Sequence, residues 1–378
     1  MPDLARLGDH VELLSGNPFK SAGYSSSGIR LLRGDNVAQG SIRWDNARHW
    51  PAGDAALYQR YRLRAGDVVL AMDRPWIAAG LRYAALRPAD VPSLLVQRVA
   101  CLRALPTVDQ RFLAYLIGSP AFTAHVLGVQ TGTAVPHISG RQIQDFEFAR
   151  PPLRDQRAVG ELLGALDDKI AANGAMARIA SALADARYAQ LVAGVAGASL
   201  VGDLIELKYG KALPAAARLA GKYPVFGSGG VAGFHDTALA GGPGVIVGRK
   251  GTVGAVYWSE RGFFPIDTTF YVSLRSEGLP MEFAFCMLRH LGLDGMNSDS
   301  AVPGLSRRDV LALPVRVPAE SALRRFHADV RPLFLLREGL SAESAALERL
   351  RDTLLPGLLA GEIGIRDAAR AIRPPWPA

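Results

Sequence analysis

Residue patterns that could carry out chemistry on nucleic acid are few in this sequence. A base-modifying amino-methyltransferase needs an Asn/Asp-Pro-Pro-aromatic loop around a flipped base. Asn17-Pro18-Phe19 lacks one proline of that loop, and Pro374-Pro375-Trp376 follows an arginine. A nuclease needs clustered carboxylates that hold a metal ion, and Glu206-Leu207-Lys208 offers only a Glu-x-Lys that the related Glu12-Leu13-Leu14 does not repeat. We therefore expect neither activity of this chain.

Metal-binding and nucleotide-binding patterns are also missing. The seven histidines show no helix-spaced metal pairing, and Cys101 and Cys286 are too few for a cysteine-based zinc site. The glycine-rich Gly227-Ser228-Gly229-Gly230 lacks the Lys-Ser/Thr of a phosphate-binding P-loop. The sequence predicts a chain that catalyses no reaction and binds no metal itself.

Cations and hydroxyls on glycine-bounded turns are the residues best suited to contact DNA. Arg249, Lys250 and Thr252 lie on a tight turn between glycines, which suits phosphate or guanine. An ordinary solvated hairpin is the structural alternative. Ser228 and Gly229, with His235 nearby, could bring backbone amides close to DNA, unless glycine serves only the turn.

Further candidate contacts lie in the first half and before the long helices. In the first half they are Arg33, Asn36, Arg74 and His137, each with an ordinary structural role as the alternative. Hydroxyl-bearing residues that could touch phosphate occur at corresponding places of the two halves: Thr131, Thr133, Ser298 and Ser300.

The composition is that of a globular protein with a basic charge balance. At 378 residues the chain is long enough for two or three domains, and 49% of its residues are hydrophobic. The net charge of +8 favours a polyanionic partner, with nucleic acid first. No apolar run approaches the length of a membrane span, and the first residues lack a signal-peptide core. Two cysteines fit a reducing compartment, so we expect a cytoplasmic protein with no membrane partner.

The elements that would position these residues are duplicated. Residues 134–194 match residues 301–361 at a constant offset of 167. Residues 7–16 match residues 201–210 at an offset of 194, sharing Gly, Asp, Glu, Leu and Gly. The duplication therefore covers the whole chain, and the first copy carries 27 more residues than the second.

Each copy ends in a predicted long helix. In the second copy apolar residues recur every seven positions from Phe326 to Leu354, a seam that makes two helices supercoil. The first copy has a weaker, Ala-rich seam from Val159 to Arg187, with Asn173 at the place of a leucine. Two helices of about 40 residues would each be roughly 60 Å long and most simply pack on one another; packing of each on its own domain is the alternative. The expected pairing residues are Leu166, Ile170, Leu183, Leu333, Leu340, Leu347 and Leu354.

Local patterns predict several other elements. Asp9 followed by Glu12 indicates a capped helix that stops at Gly16, and residues 203–210 repeat this pattern. The remaining patterns predict a strand running into a turn at 28–37, a turn and a buried strand at 64–72, a helix interrupted by Pro120 at 110–125, and a helix at 282–291.

Several runs resemble the specificity subunit of type I restriction–modification enzymes, and the resemblance covers nearly the whole chain. Residues 151–170, which begin Pro-Pro-Leu-Arg-Asp-Gln-Arg, are similar to that family's first conserved helix. Residues 350–363 resemble the end of its second conserved helix. Residues 223–230, 248–254 and 267–269 resemble its target recognition domains.

The resemblance implies an α+β fold with two tandem α/β target recognition domains, each followed by a long helix. The two helices would form an antiparallel coiled coil that acts as a ruler between two half-sites in double-stranded DNA. The same helices would dock two methyltransferase (M) subunits, and restriction (R) subunits could join the complex. S-adenosylmethionine, ATP and Mg²⁺ are expected on those partners, with no cofactor on this chain. The expected division is 1–150 and 196–318 for the recognition domains, 151–195 and 319–362 for the helices, and 363–378 for a loose tail.

Two other functions stay open from the residues alone. A stand-alone duplicated DNA-binding regulator would share the repeat and the basic charge. The apolar and Ala-rich residues of the long helices spread over more than one face, however, which favours additional partners. A coiled-coil scaffold without a DNA role would not need two large glycine-punctuated domains.

Overall fold

The computed structural model describes residues 4–132, 135–296 and 304–372. Two compact units are formed: unit 1 consists of Met1–Ile170 with Ala346–Ala378, and unit 2 of Ala171–Ala345. Thr133, Ser298 and Ser300, three of the predicted contacts, lie outside the described residues. The boundaries expected from the sequence for the two recognition domains and the two long helices stay predictions.

The elements of the first copy belong mostly to unit 1. Its strands are β1 (Leu4–Arg6), β2 (Val11–Ser15), β3 (Ile29–Leu32), β4 (Arg48–Trp50), β5 (Val68–Ala71), β6 (Trp76–Ile77), β7 (Gly80–Leu81), β8 (Tyr83–Ala85), β9 (Ser93–Leu95), β10 (Val99–Ala104) and β11 (Glu147–Ala149). Its helices are α1 (Gln110–Ile117), α2 (Pro120–Val129), α3 (Gly140–Gln144) and the 40-residue α4 (Leu153–Val192).

The elements of the second copy follow in a similar order. Its strands are β12 (Ser199–Leu200), β13 (Ile205–Tyr209), β14 (Tyr223–Gly227), β15 (Gly230–His235), β16 (Gly244–Gly248), β17 (Val256–Ser259), β18 (Phe264–Pro265), β19 (Thr269–Leu274) and β20 (Pro314–Val315). Its helices are α5 (Val201–Leu204), α6 (Met281–His290), α7 (Arg307–Leu311) and the 41-residue α8 (Glu320–Ala360), after which α9 (Ile365–Ile372) ends the described chain.

The two units share one strand topology, which confirms the duplication at the level of the fold. The four-stranded sheet β2-β10-β5-β8 of unit 1 corresponds to β13-β19-β16-β17 of unit 2, and both are antiparallel. The three-stranded sheet β4-β3-β9 corresponds to β15-β14-β18, each with one antiparallel and one parallel pair. A two-stranded pair, β1-β11 or β12-β20, completes each set.

The prediction of a capped helix at the start of each copy was wrong, because both segments form strands. β2 pairs antiparallel with β10 along its whole length, and β13 pairs in the same way with β19. Gly16 and Gly210 are therefore not helix stops. A Cβ atom on Gly16 would lie 2.2 Å from the carbonyl oxygen of Val96, and one on Gly210 would lie 2.1 Å from that of Ile266. Close approach of two backbones explains glycine at both positions.

The other predicted elements are confirmed. β3 leads into a 3-10 turn at Gly34–Asn36, and every residue of β5 is buried. The interrupted helix is the pair α1 and α2, with Pro120 at the first position of α2. α6 fulfils the last helix prediction.

Within each unit the two long helices run antiparallel. In unit 1, Val159 and Leu166 near the start of α4 share a buried core with Leu354 and Leu358 near the end of α8. In unit 2 the opposite ends meet, because Ala184 and Tyr188 of α4 share a core with Leu323, Phe326, Val330 and Phe334 of α8. Both cores also contain residues of the four-stranded sheets. The predicted antiparallel pairing is confirmed, and each helix also packs on a domain.

The buried positions of α4 follow the predicted heptad spacing over three heptads, and after that the buried position moves. Val159, Leu166, Asn173 and Ala180 are at most 3% exposed. Beyond them the core position falls at Ala184, while Leu183 is 44% exposed and lies outside this core.

The seam of α8 is wider than the heptad predicted. Leu333 and Leu347 are half-buried against the cores of unit 2 and unit 1 respectively. Leu340 on the same helix and Ile170 on α4 are half-buried as well. Val330 and Phe334, which the heptad omitted, are fully buried, because α8 turns a broad face to the domain.

Asn173 is the polar residue of the seam and is paired within unit 2. Its amide nitrogen donates to the Glu343 carboxylate at 2.8 Å and to the Ser344 hydroxyl at 3.3 Å. A buried polar side chain at a seam position favours the one register that satisfies its hydrogen bonds.

Gln156, in the Pro-Pro run that marks the first long helix, joins α4 to the start of α1. The side chain is fully buried. Its carbonyl oxygen accepts from the backbone N–H of Asp109 at 2.9 Å, and its amide nitrogen donates to the carbonyl oxygens of Pro151 at 2.8 Å and Thr107 at 3.3 Å.

Replacing Gln156 with alanine is expected to lower the free energy of unfolding by about 1–3 kcal/mol, because it removes the three hydrogen bonds of a fully buried side chain. Urea denaturation measures the change. The exposed Gln59→Ala is the matched control and should change stability by less than about 0.5 kcal/mol. Equal changes in the free energy of unfolding for the two variants would show that the buried amide of Gln156 contributes no more to stability than an exposed one.

The segment after Gly361 was expected to be a loose tail, and this was wrong for residues 365–372. They form α9, and Ala368 on this helix is 1% exposed in the core of unit 1. Among the described helices none is individually long and apolar enough to cross a membrane; only the bent pair of α1 and α2 meets that criterion, by length and composition together.

Candidate nucleic-acid interface

Three loop segments of unit 2 meet at one end of its four-stranded sheet. They are the turn after β16, the turn before β19 and the residues before α7. The backbone N–H of Arg249 donates to the carbonyl of Thr268 at 2.9 Å, and the N–H of Leu305 donates to the carbonyl of Arg249 at 2.9 Å. The β14–β15 hairpin joins them, since a Cβ on Gly251, whose φ is +83°, would lie 2.9 Å from the Ser228 hydroxyl oxygen.

Unit 1 has the same loop arrangement. The N–H of Met72 donates to the carbonyl of Arg98 at 2.9 Å, and the N–H of Ile138 donates to the carbonyl of Met72 at 2.9 Å. Met72, Arg98 and Ile138 thus occupy the places of Arg249, Thr268 and Leu305. We call each arrangement a strand-end cluster: residues 72–74, 97–98 and 135–138 in unit 1, and 249–252, 267–268 and 304–306 in unit 2.

The strand-end cluster of unit 2 contains three of the contacts predicted for the second half, Arg249, Lys250 and Thr252. Lys250 and Thr252 are exposed. Arg249 is half-buried, and its guanidinium donates to the carbonyl of Asp267 at 2.8 Å. Ser228 is fixed beside them, because its carbonyl accepts from the Tyr257 hydroxyl at 2.9 Å. The turn therefore presents the Lys250 cation and the Thr252 hydroxyl to solvent, and the hydrogen bonds of Arg249 and Ser228 hold it in place.

The strand-end cluster of unit 1 borders a polar cleft of about 400 Å³. The predicted Arg33 and Arg74 both line it. His137, also predicted, lies beside it with its Nδ1 2.8 Å from a carboxylate oxygen of Asp73. The charged residues that line the cleft are Arg33, Asp35, Asp73, Arg74, Arg82 and Arg98.

Arg82 has a structural role in this cleft. Its guanidinium donates to the carbonyls of Val37 at 3.2 Å, Asp73 at 3.3 Å and Arg74 at 3.4 Å, and also to that of Gly34. Burial lowers the pKa of Arg82 below its usual value. These contacts hold together the loops that carry Arg33 and Arg74.

Arg74 and Arg98 adopt backbone conformations that L-residues rarely take. Their φ angles are +46° and +66°, in the left-handed region that favours glycine. Both side chains are largely exposed, and Arg98 lies 3.8 Å from the Asp73 carboxylate. Strain of this kind tends to collect where a side chain must be held for function.

Replacing Arg98 with glycine is expected to leave the free energy of unfolding unchanged or to raise it by up to about 1 kcal/mol, since glycine adopts this conformation without strain. The same change should weaken DNA binding, because a cation is removed. Thermal melting and a DNA titration of one preparation measure both effects. A loss of stability with full DNA affinity would contradict this assignment.

Two predicted contacts have internal structural roles. Asn36 is 4% exposed; its side-chain oxygen accepts from the N–H of Arg33 at 3.0 Å, and its amide donates to the carbonyl of Arg43 at 2.9 Å. His235 is 8% exposed, with one ring nitrogen accepting from the N–H of Leu219 at 3.1 Å and the other 3.3 Å from Asp236. Their hydrogen-bonding groups are occupied inside the fold, which indicates a structural role for both residues.

The remaining described candidates lie at the surface of the turns. Thr131 is exposed, and its backbone exchanges hydrogen bonds of 2.9 and 2.7 Å with that of His137. Gly229 lies at the β14–β15 turn, where a Cβ atom would come within 3.9 Å of the Thr252 hydroxyl. Among the described residues no group of three or more His, Cys, Asp or Glu side chains could hold a metal ion.

Arg98 and Arg307 are cations of these regions that the sequence patterns did not single out. Arg98 corresponds to Thr268 only through the fold, because their separation of 170 matches neither repeat offset. Arg307 lies between Ser306 and Arg308, which repeat Ser139 and Arg141. The repeat gives no signal for Arg307, because Gly140 occupies its place in the first copy.

Comparison with known proteins finds sequence similarity to specificity subunits of type I restriction enzymes. No family model matches. The specificity subunit of the type I restriction enzyme EcoAI from Escherichia coli is 35% identical over 166 residues, which make up 44% of this chain and 28% of that protein. The specificity subunit of MjaVIII from Methanocaldococcus jannaschii is 30% identical over 169 residues, or 44% of this chain and 40% of that protein. The matched part thus spans less than half the length of either relative.

Similarity in fold extends over almost the whole chain. The crystal structure of a type I restriction–modification S subunit from M. genitalium matches with a TM-score of 0.63 and 17% identity, covering 94% of this chain and 96% of that one. The resemblance seen in the sequence is therefore confirmed: this chain is similar in sequence and in fold to the specificity subunits of type I restriction–modification enzymes.

Proposed function

We propose that the chain is the DNA-specificity subunit of a type I restriction–modification complex. Each unit would read one half of a bipartite target in double-stranded DNA, and the long helices would set the unread gap between the halves. The chain itself would be non-catalytic and cytoplasmic. S-adenosylmethionine, ATP and Mg²⁺ would bind to the methyltransferase and restriction subunits.

The observation that carries this proposal is the pair of strand-end clusters. Two units of the same topology present loops at the same end of equivalent sheets, and both loop sets carry exposed cations, Arg74 and Arg98 in one and Lys250 in the other. Duplicated reading surfaces of this kind suit a target with two half-sites. The net charge of +8 agrees with a polyanionic partner.

A partner surface on α4 supports the docking of methyltransferase subunits. Met176, Ile179 and Leu183 lie three and four residues apart and are 47%, 62% and 44% exposed. This spacing places them on one face of the helix. An exposed apolar stripe on a long helix suits a subunit interface, and we assign it to a methyltransferase subunit because that partner must be held near the DNA.

Co-expression with the methyltransferase subunits of the same organism tests the proposal. The complex should co-purify and transfer methyl groups from S-adenosylmethionine to plasmid DNA, while methyltransferase subunits alone should not. A chain that binds DNA but never co-purifies would be a stand-alone regulator. A chain that binds neither DNA nor methyltransferase would be a scaffold.

A further inference from the structure

Beside the strand-end cluster of unit 2 lies an open cleft of about 790 Å³, which we call the arginine cleft. Its floor is apolar, with Phe270, Leu305 and Leu311. Its polar lining is dominated by three guanidinium groups, those of Arg249, Arg307 and Arg308.

Tyr209 positions two of these cations. The Arg249 and Arg307 guanidiniums lie 5.4 and 5.8 Å from the centre of the Tyr209 ring. Contact with an aromatic face orients a guanidinium without neutralising it. The ring is 54% exposed, so it is also open to a ligand.

The positive charge of the arginine cleft is only partly balanced. Arg249 donates to a neutral carbonyl, that of Asp267 at 2.8 Å. Arg307 lies 3.3 Å from the Glu206 carboxylate, and Arg308 is exposed with no ion pair among the described residues. The Nε atoms of Arg249 and Arg307 are buried and have no hydrogen-bond partner within the described part of the chain. The cleft therefore carries more positive charge than its own carboxylates offset, which favours an anionic ligand.

The residues that build this cleft are replaced in unit 1, although unit 1 shares the topology. The residues at the places of Tyr209, Arg249, Phe270 and Arg307 are Ser15, Met72, Ala100 and Gly140. Arg308 does have a counterpart, Arg141, but the Arg141 guanidinium is 3.9 Å from the carboxylate of Asp145, the residue that follows α3. The second copy thus differs at four matched positions that together build one anion site.

We propose that the arginine cleft binds a phosphate group of the DNA backbone next to the half-site read by unit 2, a contact that unit 1 does not make. This inference rests on the proposed function. Planar guanidiniums that can bind two oxygens suit a phosphodiester, and the apolar floor fits the sugar beside it. A free phosphate-bearing small molecule offers the same chemistry, and the experiment separates the two sources.

The test measures how binding of the full chain to a short random-sequence duplex depends on salt. Log K falls as log salt concentration rises, and removal of one phosphate contact makes this negative slope shallower by about 0.9. Arg308→Ala should show this change and bind roughly tenfold more weakly at low salt. Arg141→Ala removes the same charge at the equivalent exposed position of unit 1 and should keep the wild-type slope. Arg308→Lys should restore most of the slope.

A second variant tests the ring without changing charge. Tyr209→Ser introduces the residue found at the equivalent place in unit 1, and it should also reduce the slope, because Arg249 and Arg307 are deprived of their orienting ring. Tyr209→Phe should bind like wild type. Circular dichroism of each variant confirms that it is folded.

Each outcome decides the proposal. Identical slopes for Arg308→Ala and Arg141→Ala, with normal DNA binding by the wild type, would overturn the arginine cleft as a DNA site and leave the proposed function intact. In another outcome, inorganic phosphate shifts the NMR signals of residues in the arginine cleft, but Arg308→Ala leaves DNA binding unchanged. This result would assign the site to a free phosphate-bearing ligand. Failure of the wild type to bind any duplex at low salt would overturn both.

Discussion

Lengthening both long helices by seven residues is expected to move methylation to a new DNA motif whose gap is about three base pairs longer. Seven helical residues add about 10 Å, which corresponds to about three base pairs at roughly 3.4 Å each. Inserting them between Ile170 and Ala171 and between Ala345 and Ala346 places them at the boundary of the two units, so the core contacts of each unit are kept. Seven residues fall only about 20° short of two full turns, so the apolar face of each helix keeps nearly its original direction beyond the insertion.

Mapping of methylated bases in cells that carry the lengthened chain measures this effect. Both half-motifs should be unchanged and the original sites should be unmethylated. Insertion into α4 alone is the matched control: it should abolish methylation, because the helices can no longer pair in register. An unchanged gap after the double insertion would show that the helices do not set the spacing.

Replacing Arg249 and Lys250 together with alanine is expected to weaken binding to the cognate duplex by about 1–3 kcal/mol for each base contact that the change removes. Lys250 is exposed, while Arg249 also supports the turn through the carbonyl of Asp267. Lys250→Ala alone should therefore weaken binding without a change in thermal stability. The double variant should lose more affinity and some stability.

Arg275→Ala is the control for the lysine variant. Arg275 is exposed at the opposite end of β19 from the strand-end cluster, and its removal changes the net charge equally. Fluorescence anisotropy with cognate and random duplexes separates two kinds of contact. A decrease in affinity for cognate DNA alone indicates a base contact, and an equal decrease in affinity for all sequences indicates a phosphate contact. Full cognate affinity of the double variant would remove this turn from the interface.

The sequence predicted the architecture well because duplication and apolar periodicity are long-range signals. The offset of 167 located both long helices, and the heptad located the buried Val159, Leu166 and Asn173. Short elements were harder. The Asp9–Glu12 pattern suggested a helix, yet sheet pairing of β2 with β10 determined the structure of this segment.

The surroundings of the candidate contacts could not be predicted from the sequence, because residue type does not reveal what a side chain faces. Lys250 and Arg74 are exposed as a DNA contact requires, whereas Asn36 and His235 use their polar groups inside the fold. Arg98 was missed because the extra residues of the first copy hide its relation to Thr268. The backbone hydrogen bonds of the strand-end clusters, together with the matched strand topology, reveal that correspondence.

The most direct test of this account is to map methylated bases in the host genome with and without this gene. Two short defined sequences separated by a fixed stretch of unspecified bases, methylated only when the gene is present, is the predicted result. One continuous methylated motif, or methylation that persists after deletion of the gene, would contradict the reading of DNA by two separate units.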